Sequence, residues 1–303
     1  IKKFIPFLLL ASFILMILTF IPGVGRVIQG SRRWIFLVGF SFQPSELVKL
    51  SLVLYLSHIF SKKEDRINDF VKTIMPLLVI SAVFIILIYI QNDFSTAFFV
   101  FFLVLLMFFI ARINVWYFLF LSSIGIPLAG ILLFTKEHRV RRILTFINPD
   151  LDPVGSGYQV NAALSSLSTG GFWGVGIGEG TKKLGGLPEA HSDFIFAVLG
   201  EETGFIGVLF ILSVFLAFAF RGYQIALKSE NKFGYYCAFG ITTTILYQTL
   251  LNIGVVGGLI PATGIPLPFF SSGGSSIVMA LIMCGVLINV SRNCAAGEEA
   301  ADD

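Results

Sequence analysis

The chain has 303 residues, of which 56% are hydrophobic and only 13% charged, with a net charge of +3. A soluble domain carries roughly 25% charged residues, so this composition excludes a water-facing surface, and the small net charge excludes nucleic acid as a partner. The cysteines Cys237, Cys284 and Cys294 fall in or beside apolar runs and suggest no disulfide framework.

A hydrocarbon core about 30 Å thick needs about 20 mostly apolar residues per helix. In lipid only helices and closed barrels satisfy their own backbone polar groups. Long apolar runs without strand-like alternation therefore predict an all-α, polytopic transmembrane bundle with about eight spans, over residues 4–21, 44–60, 74–91, 94–110, 115–134, 194–220, 233–255 and 275–291.

Lys2 and Lys3 precede the first run, and no small-residue cleavage site follows it, so it reads as a true span. The segment 22–43 brings Arg26, Arg32 and Arg33 with no acid until Glu46. These arginines fit either lipid phosphates or a site for an anionic substrate. Pro44 suits the first turn of the next helix. Glu46 and Lys49, three apart, share a helix face as a structural pair or as part of a site. Asp93 either caps the helix beginning at Phe94 or is a functional intramembrane acid.

The loops 61–72, 111–114 and 221–232 are short and basic, which places both ends of the domain in the cytoplasm. The loops 22–43, 135–193 and 256–274 are longer, rich in Gly and Pro, and lie outside. Within the extracytoplasmic loop 135–193, residues 158–173 predict a short helix with small and polar faces, suited to a re-entrant element. Asp193 precedes the helix starting at Phe194 and is either a cap or a reactive group. Glu201 and Glu202 follow about two turns later, where the bland reading is pairing with polar groups from neighbouring helices. Residues 256–276 hold three prolines with repeated Gly and Ser, which exclude a regular helix and predict a rigid turn or a wall beside a ligand cavity. The last residues, 294–303, are Ala-rich and acidic and read as a disordered tail or an expression remnant after a single membrane domain, 1–293.

No P-loop, HExxH, CxxC or GxSxG occurs, and His58, His138 and His191 are scattered, so no metal set is indicated. An energy-rich substrate or transport would have to supply the driving force.

The segments QPSELVK (43–49), QNDFSTA (91–97), NPDLDPVGSGYQ (148–159), GLPEAHSDFIFAVLGEETG (186–204) and PATGIPLPFFSSGGSS (261–276) resemble the SEDS family of bacterial cell-wall polymerases, whose branches include FtsW, RodA and SpoVE. The resemblance runs from Ile1 to about Asn293 and is slightly closer to the FtsW branch. Ser192 stands where Thr is usual, Ser272 where Tyr is usual, and Ala162 and Ala163 where Gln and Ser are common. The family has ten spans; the run 4–21 matches its third, so two N-terminal spans are expected to be missing here.

This resemblance implies a peptidoglycan polymerase that joins lipid II units into β-1,4 glycan strands outside the cytoplasmic membrane, in cell division or elongation. It implies that Asp193 is the essential, catalytic Asp, as general base or in positioning the acceptor hydroxyl. The stereochemistry inverts, so one base at the acceptor is needed, with positive charge where the pyrophosphate departs. Arg32, Arg33, Lys49 and Lys183 are candidates for that charge, with Glu46 orienting Lys49. Gln43, Asp93, Gln159, Glu189, His191, Ser271, Gly273 and Gly274 complete the expected substrate-binding set. A divalent cation, Mg or Mn, could assist through Asp193 or Glu189, although no dedicated metal site is visible. The implied partners are lipid II, the nascent glycan strand, a class B penicillin-binding protein and other divisome or elongasome membrane proteins. The alternatives are a lipid-linked sugar flippase and a non-catalytic division scaffold. A flippase needs a charged path through the whole membrane, whereas the inner halves of these spans are almost purely apolar.

Overall fold

The computed structural model describes residues 2–28, 30–37, 40–148, 151–152, 155–181, 186–189 and 191–302. Its elements are α1 (Ile5–Leu18), β1 (Gly25–Ile28), β2 (Ser31–Leu37), β3 (Phe40–Phe42), α2 (Pro44–Lys62), α3 (Met75–Ile90), α4 (Phe94–Ile110), α5 (Val115–Phe134), α6 (Glu137–Ile147), α7 (Ser156–Gly170), α8 (Ile195–Lys228), α9 (Lys232–Val256) and α10 (Gly274–Asp302). Every predicted span is helical. Among the described residues, five helices are long and apolar enough to cross a membrane: Phe70–Ile90, Val115–Phe134, Ile195–Lys228, Lys232–Val256 and Gly274–Cys294, with Phe94–Ile110 a shorter apolar one. The protein is a multi-pass helical membrane protein.

The structure corrects the sequence reading at four places. Residues 25–42 form an antiparallel three-stranded sheet in the order β1-β2-β3, with Arg26 opposite Trp34 and Ile35 opposite Phe42. Its β-branched and aromatic residues favour strands, a signal hidden among the glycines. Helix α6 occupies part of the outer loop where none was expected. Helix α8 runs to Lys228, so residues 221–228 are helix and not loop. The backbone of α10 stays helical to Asp302, through a segment whose Ala and Glu are strong helix formers. The short helix expected over 158–173 is α7, which spans Ser156–Gly170.

The described chain forms two compact units. The first comprises Ile1–Pro127, Phe220–Thr244 and Gly274–Asp303, and α2 is its centre. This helix touches α1, α3, α4, α10 and β2, and 13 of its 19 residues are buried. A helix buried on nearly all sides reads as apolar all round, which is why α2 shows no clear polar face. In lipid the apolar effect does not drive helices together, so close packing and interhelical hydrogen bonds must do so. Both are present. A Cβ on Gly240 would lie 2.6 Å from Val53 and 2.8 Å from Met107. Ser12 donates to Ser51 at 3.1 Å. Phe60 meets Phe108 and Tyr236 edge-on, with centroids 5.7 and 5.5 Å apart.

The second unit comprises Leu128–Ala219 and Ile245–Gly273. Its organising feature is a break in α8 at Gly204, where φ is 66° and ψ is −165°. That conformation is essentially confined to glycine. The break removes the normal helical partners around it, and the loop after α7 supplies replacements. Val175 N donates to Glu201 O at 3.0 Å and Gly176 N to Glu202 O at 3.1 Å. In return, Phe205 N donates to Gly171 O at 2.9 Å and Ile206 N to Phe172 O at 3.3 Å. A Cβ on Gly204 would sit 2.3 Å from Gly174 N. Gly204→Ala should therefore lower stability by about 2 kcal/mol or more. Thermal unfolding of the detergent-purified protein checks this; an unchanged midpoint would refute the account of the break.

Candidate functional site

In the second unit, two segments that the sequence singled out separately lie against one another: 186–194, carrying Asp193, and 261–273. Ser271 Oγ donates to Ser192 O at 2.7 Å, and Ser272 N donates to His191 O at 2.8 Å. Asn252 of α9 spans both, its Nδ2 donating to Asp193 O at 2.7 Å and to Ile265 O at 2.8 Å. Gln248, one turn earlier, donates to Pro266 O at 2.9 Å. The backbone of Asp193 is thus held by a buried amide while its side chain remains half-exposed. Gly264 makes room for that carboxylate: its φ is +70°, and a Cβ there would be 3.3 Å from Asp193 Oδ2.

Within the same turn, Ser192 Oγ donates to Glu189 Oε2 at 2.6 Å. Glu189 and Phe269 adopt positive φ of 55° and 68°, a strained state for such residues that clusters at functional sites. Glu189 and His191 are exposed, and Ser271 is fully buried. Gly273 ends this segment and Gly274 opens α10. Glu201 is fully buried and accepts from Thr181 N at 3.1 Å and Thr181 Oγ1 at 3.3 Å, a partner in a loop where a neighbouring helix was expected.

The first unit gathers the other charged candidates in two sets. Asp93 Oδ1 accepts from Thr96 N at 3.1 Å, which caps α4, and its Oδ2 lies 3.5 Å from Arg33 Nη1. The capping reading of Asp93 is thus seen in the structure, and the other oxygen of the same carboxylate pairs with Arg33. The sheet is fastened there by Arg32 N donating to Gln91 O at 3.1 Å, leaving the Arg32 side chain exposed. In the second set, Lys49 Nζ lies 2.8 Å from Glu46 Oε1 and 5.0 Å from the centroid of the Phe99 ring. These two residues are only 2% and 4% exposed. A buried pair is tolerated when each charge neutralises the other. Gln43 N donates to Ser275 Oγ at 3.0 Å, which in turn donates to Ser41 O at 3.1 Å.

On the outer segment of the second unit, α6 and α7 border an open depression of about 390 Å³ lined by His138, Arg141, Arg142, Asp152 and Gln159. Burial, then Arg142, Arg139 and Lys136, hold the His138 imidazole below the usual histidine value. Its protonated form is disfavoured in the fold, so its effect on stability turns unfavourable as pH falls below about 6.5.

Lys183 lies outside the described residues. Asn252 was missed by the sequence reading, although an Asn and a Gln four apart in an apolar helix are a signal of their own. Among the described residues, no three His, Cys, Asp or Glu side chains converge to hold a metal ion.

The sequence profile of the cell cycle proteins FtsW, RodA and SpoVE matches residues 1–296. The chain is 43% identical over 290 residues to the probable peptidoglycan glycosyltransferase FtsW of Geobacter sp. (strain M18), covering 96% of this chain and 79% of that one. It is 42% identical over 285 residues to the stage V sporulation protein E of Bacillus subtilis (strain 168), covering 94% and 78%. Among solved structures, a chain from work on the coordination of polymerization and crosslinking by a peptidoglycan synthase complex superposes with a TM-score of 0.74 at 29% identity, over 96% of this chain and 82% of that one. The rod shape determining protein RodA of Thermus thermophilus superposes with a TM-score of 0.67 at 26% identity, over 96% and 79%.

Two outcomes follow from the geometry. Asn252→Ala leaves the carbonyls of Asp193 and Ile265 without their buried donor, at a cost of about 1–3 kcal/mol. Amide hydrogen exchange should accelerate around 191–194 and 264–267; protection equal to wild type would show that Asn252 does not hold the segments. Acidification from pH 7.5 to 5.5 should lower the melting temperature less in His138→Gln than in wild type. Parallel pH curves would remove His138 from the account.

Proposed function

Because the chain belongs to the FtsW, RodA and SpoVE family of cell cycle proteins, we propose that it is a peptidoglycan glycosyltransferase that joins lipid II disaccharide units into β-1,4 glycan strands. The reading rests on the family match along the chain, and the held carboxylate of Asp193 supports it locally. The site works on the outer face of the bacterial cytoplasmic membrane, with both ends of the domain in the cytoplasm. The sequence motifs, slightly closer to the FtsW branch, favour division.

The transfer joins an acceptor 4-hydroxyl to the anomeric carbon of an α-linked, pyrophosphate-borne sugar and inverts that centre. One base on the acceptor side suffices, because pyrophosphate leaves without a strong general acid. Asp193 is that base or aligns the hydroxyl. Its backbone hydrogen bonds to Asn252 and the Ser271–Ser192 link fix where the carboxylate stands, so little reorganisation is needed at the moment of reaction. The smallness of Gly264 keeps the approach to Oδ2 open.

The departing pyrophosphate needs positive charge. Arg32 is exposed, and Arg33 stands beside it with Asp93 holding part of its guanidinium; a planar fork suits a bidentate phosphate contact. Lys49 is sealed with Glu46 and neutralised by it, so the charge for the leaving group falls to the arginines. Lys183 remains a candidate on its sequence position. The remaining expected contacts, Gln43, Gln159, Glu189, His191, Ser271, Gly273 and Gly274, shape the substrate path.

A divalent cation, Mg or Mn, finds no dedicated ligand set among the described residues. It would arrive on the pyrophosphate and take at most one or two protein carboxylates, Asp193 or Glu189, as Mg commonly does. No step of the transfer is assigned to it. A class B penicillin-binding protein is the expected partner, receiving the strands for crosslinking, alongside other membrane proteins of division or elongation.

The test is polymerisation of purified lipid II by the full-length protein with its transpeptidase partner. Asp193→Ala should lose glycan synthesis by about 10²–10⁴-fold, the range for removing a general base, while remaining folded and still binding lipid II. Synthesis at the wild-type rate by the folded variant would remove Asp193 from the reaction. Arg32→Ala should chiefly raise the lipid II concentration needed for half-maximal rate. An unchanged concentration dependence would detach Arg32 from substrate binding.

A further inference from the structure

Below α2 and α3 lies a second depression, of about 560 Å³, lined by Lys62, Lys63, Asp65, Arg66, Val71 and Lys72. It belongs wholly to the first unit, at the end of α2 remote from Glu46 and Lys49. Four cations there face one carboxylate. The nearby acids are already engaged: Glu64 pairs with Lys232 at 3.0 Å, and Asp69 accepts from Lys72 N at 3.0 Å. Lys62 and Lys63 stand at the C-terminal end of α2, where cations complement the helix dipole. That explanation does not extend to Arg66 and Lys72, which lie beyond the helix. Lys63 Nζ also donates to Lys72 O, which draws the two sides of the depression together.

The second observation is apolar. From the rim residue Val71, exposed side chains climb α3 at intervals of four residues: Met75, Val79 and Val83. Such spacing keeps them on one face of the helix. Twelve residues at 1.5 Å each give about 18 Å, close to the thickness of one leaflet. A cationic cup at headgroup level therefore continues into an unpartnered apolar track of acyl-chain length.

We propose that this cup and track form a binding site for one anionic phospholipid, the phosphate headgroup held by Lys62, Lys63, Arg66 and Lys72 and an acyl chain lying along Val71, Met75, Val79 and Val83. Basic pockets between membrane helices are suited to anionic headgroups. The apolar track distinguishes a lipid from a free phosphate ion, which would use the cup alone.

Native mass spectrometry of the full chain in detergent, titrated with phosphatidylglycerol or with phosphatidylcholine of identical acyl chains, tests the assignment. Wild type should retain phosphatidylglycerol at least about fivefold better. Neutralising each cation should weaken retention about fivefold, as expected for loss of one basic contact near an anionic surface. The variant Lys62→Gln, Lys63→Gln, Arg66→Gln, Lys72→Gln should retain both lipids equally. Should that variant not purify as a single species, Arg66→Gln with Lys72→Gln, which leaves α2 untouched, serves in its place. Equal retention of the two lipids by wild type, or an undiminished preference in the folded variants, would overturn the proposal. Displacement of phosphatidylglycerol by millimolar inorganic phosphate would also overturn it, in favour of a free-anion site.

Discussion

In hydrocarbon there is no water to take up an unpaired backbone N–H or C=O, and each one left open costs several kcal/mol. The break at Gly204 is possible only because of how that requirement is met. The carbonyls of Glu201 and Glu202 accept from Val175 and Gly176, and the amides of Phe205 and Ile206 donate to Gly171 and Phe172. The glycines on both sides let the two backbones approach closely. Helix α8 and the loop after α7 thereby become one structural piece. The segment leading to Asp193 begins from that piece and is fastened again, at its far end, by Asn252 and Ser271.

Hydrogen bonding also explains why the polar residues inside these helices are tolerable. Asn252 gives both amide protons to carbonyls of irregular segments, and Gln248 gives one. Irregular backbone at membrane depth survives where protein supplies the partners. The proline-rich stretch 261–273 is irregular backbone, and two of its carbonyls, those of Ile265 and Pro266, take their donors from Asn252 and Gln248 of α9.

Much of this was legible in the sequence, and the failures have physical reasons. The spans were readable because apolar length is a strong signal, and Pro44 at the first turn of α2 was readable because its missing N–H is harmless there. The extension of α8 past Arg221 was not, since positive charge marks the membrane surface and not the end of a helix. The sheet over 25–42 was hidden because its strands are short and interrupted by glycine. At the candidate site, Asp193 carried a motif, but Asn252 did not: its role depends on carbonyls distant in the chain, and no local pattern encodes them. Asp93 was read as either a cap or a functional acid, and its two oxygens perform the capping and the Arg33 contact separately.

The sealed Glu46–Lys49 pair has an electrical consequence. A single charge crossing a membrane potential of 100 mV feels about 2.3 kcal/mol. Glu46 and Lys49 carry opposite signs on one rigid helix and stand 2.8 Å apart, so any movement of α2 carries them together and transports no net charge. Only their short dipole couples to the field. The buried part of α2 can thus hold this pair without the pair adding net gating charge to the helix.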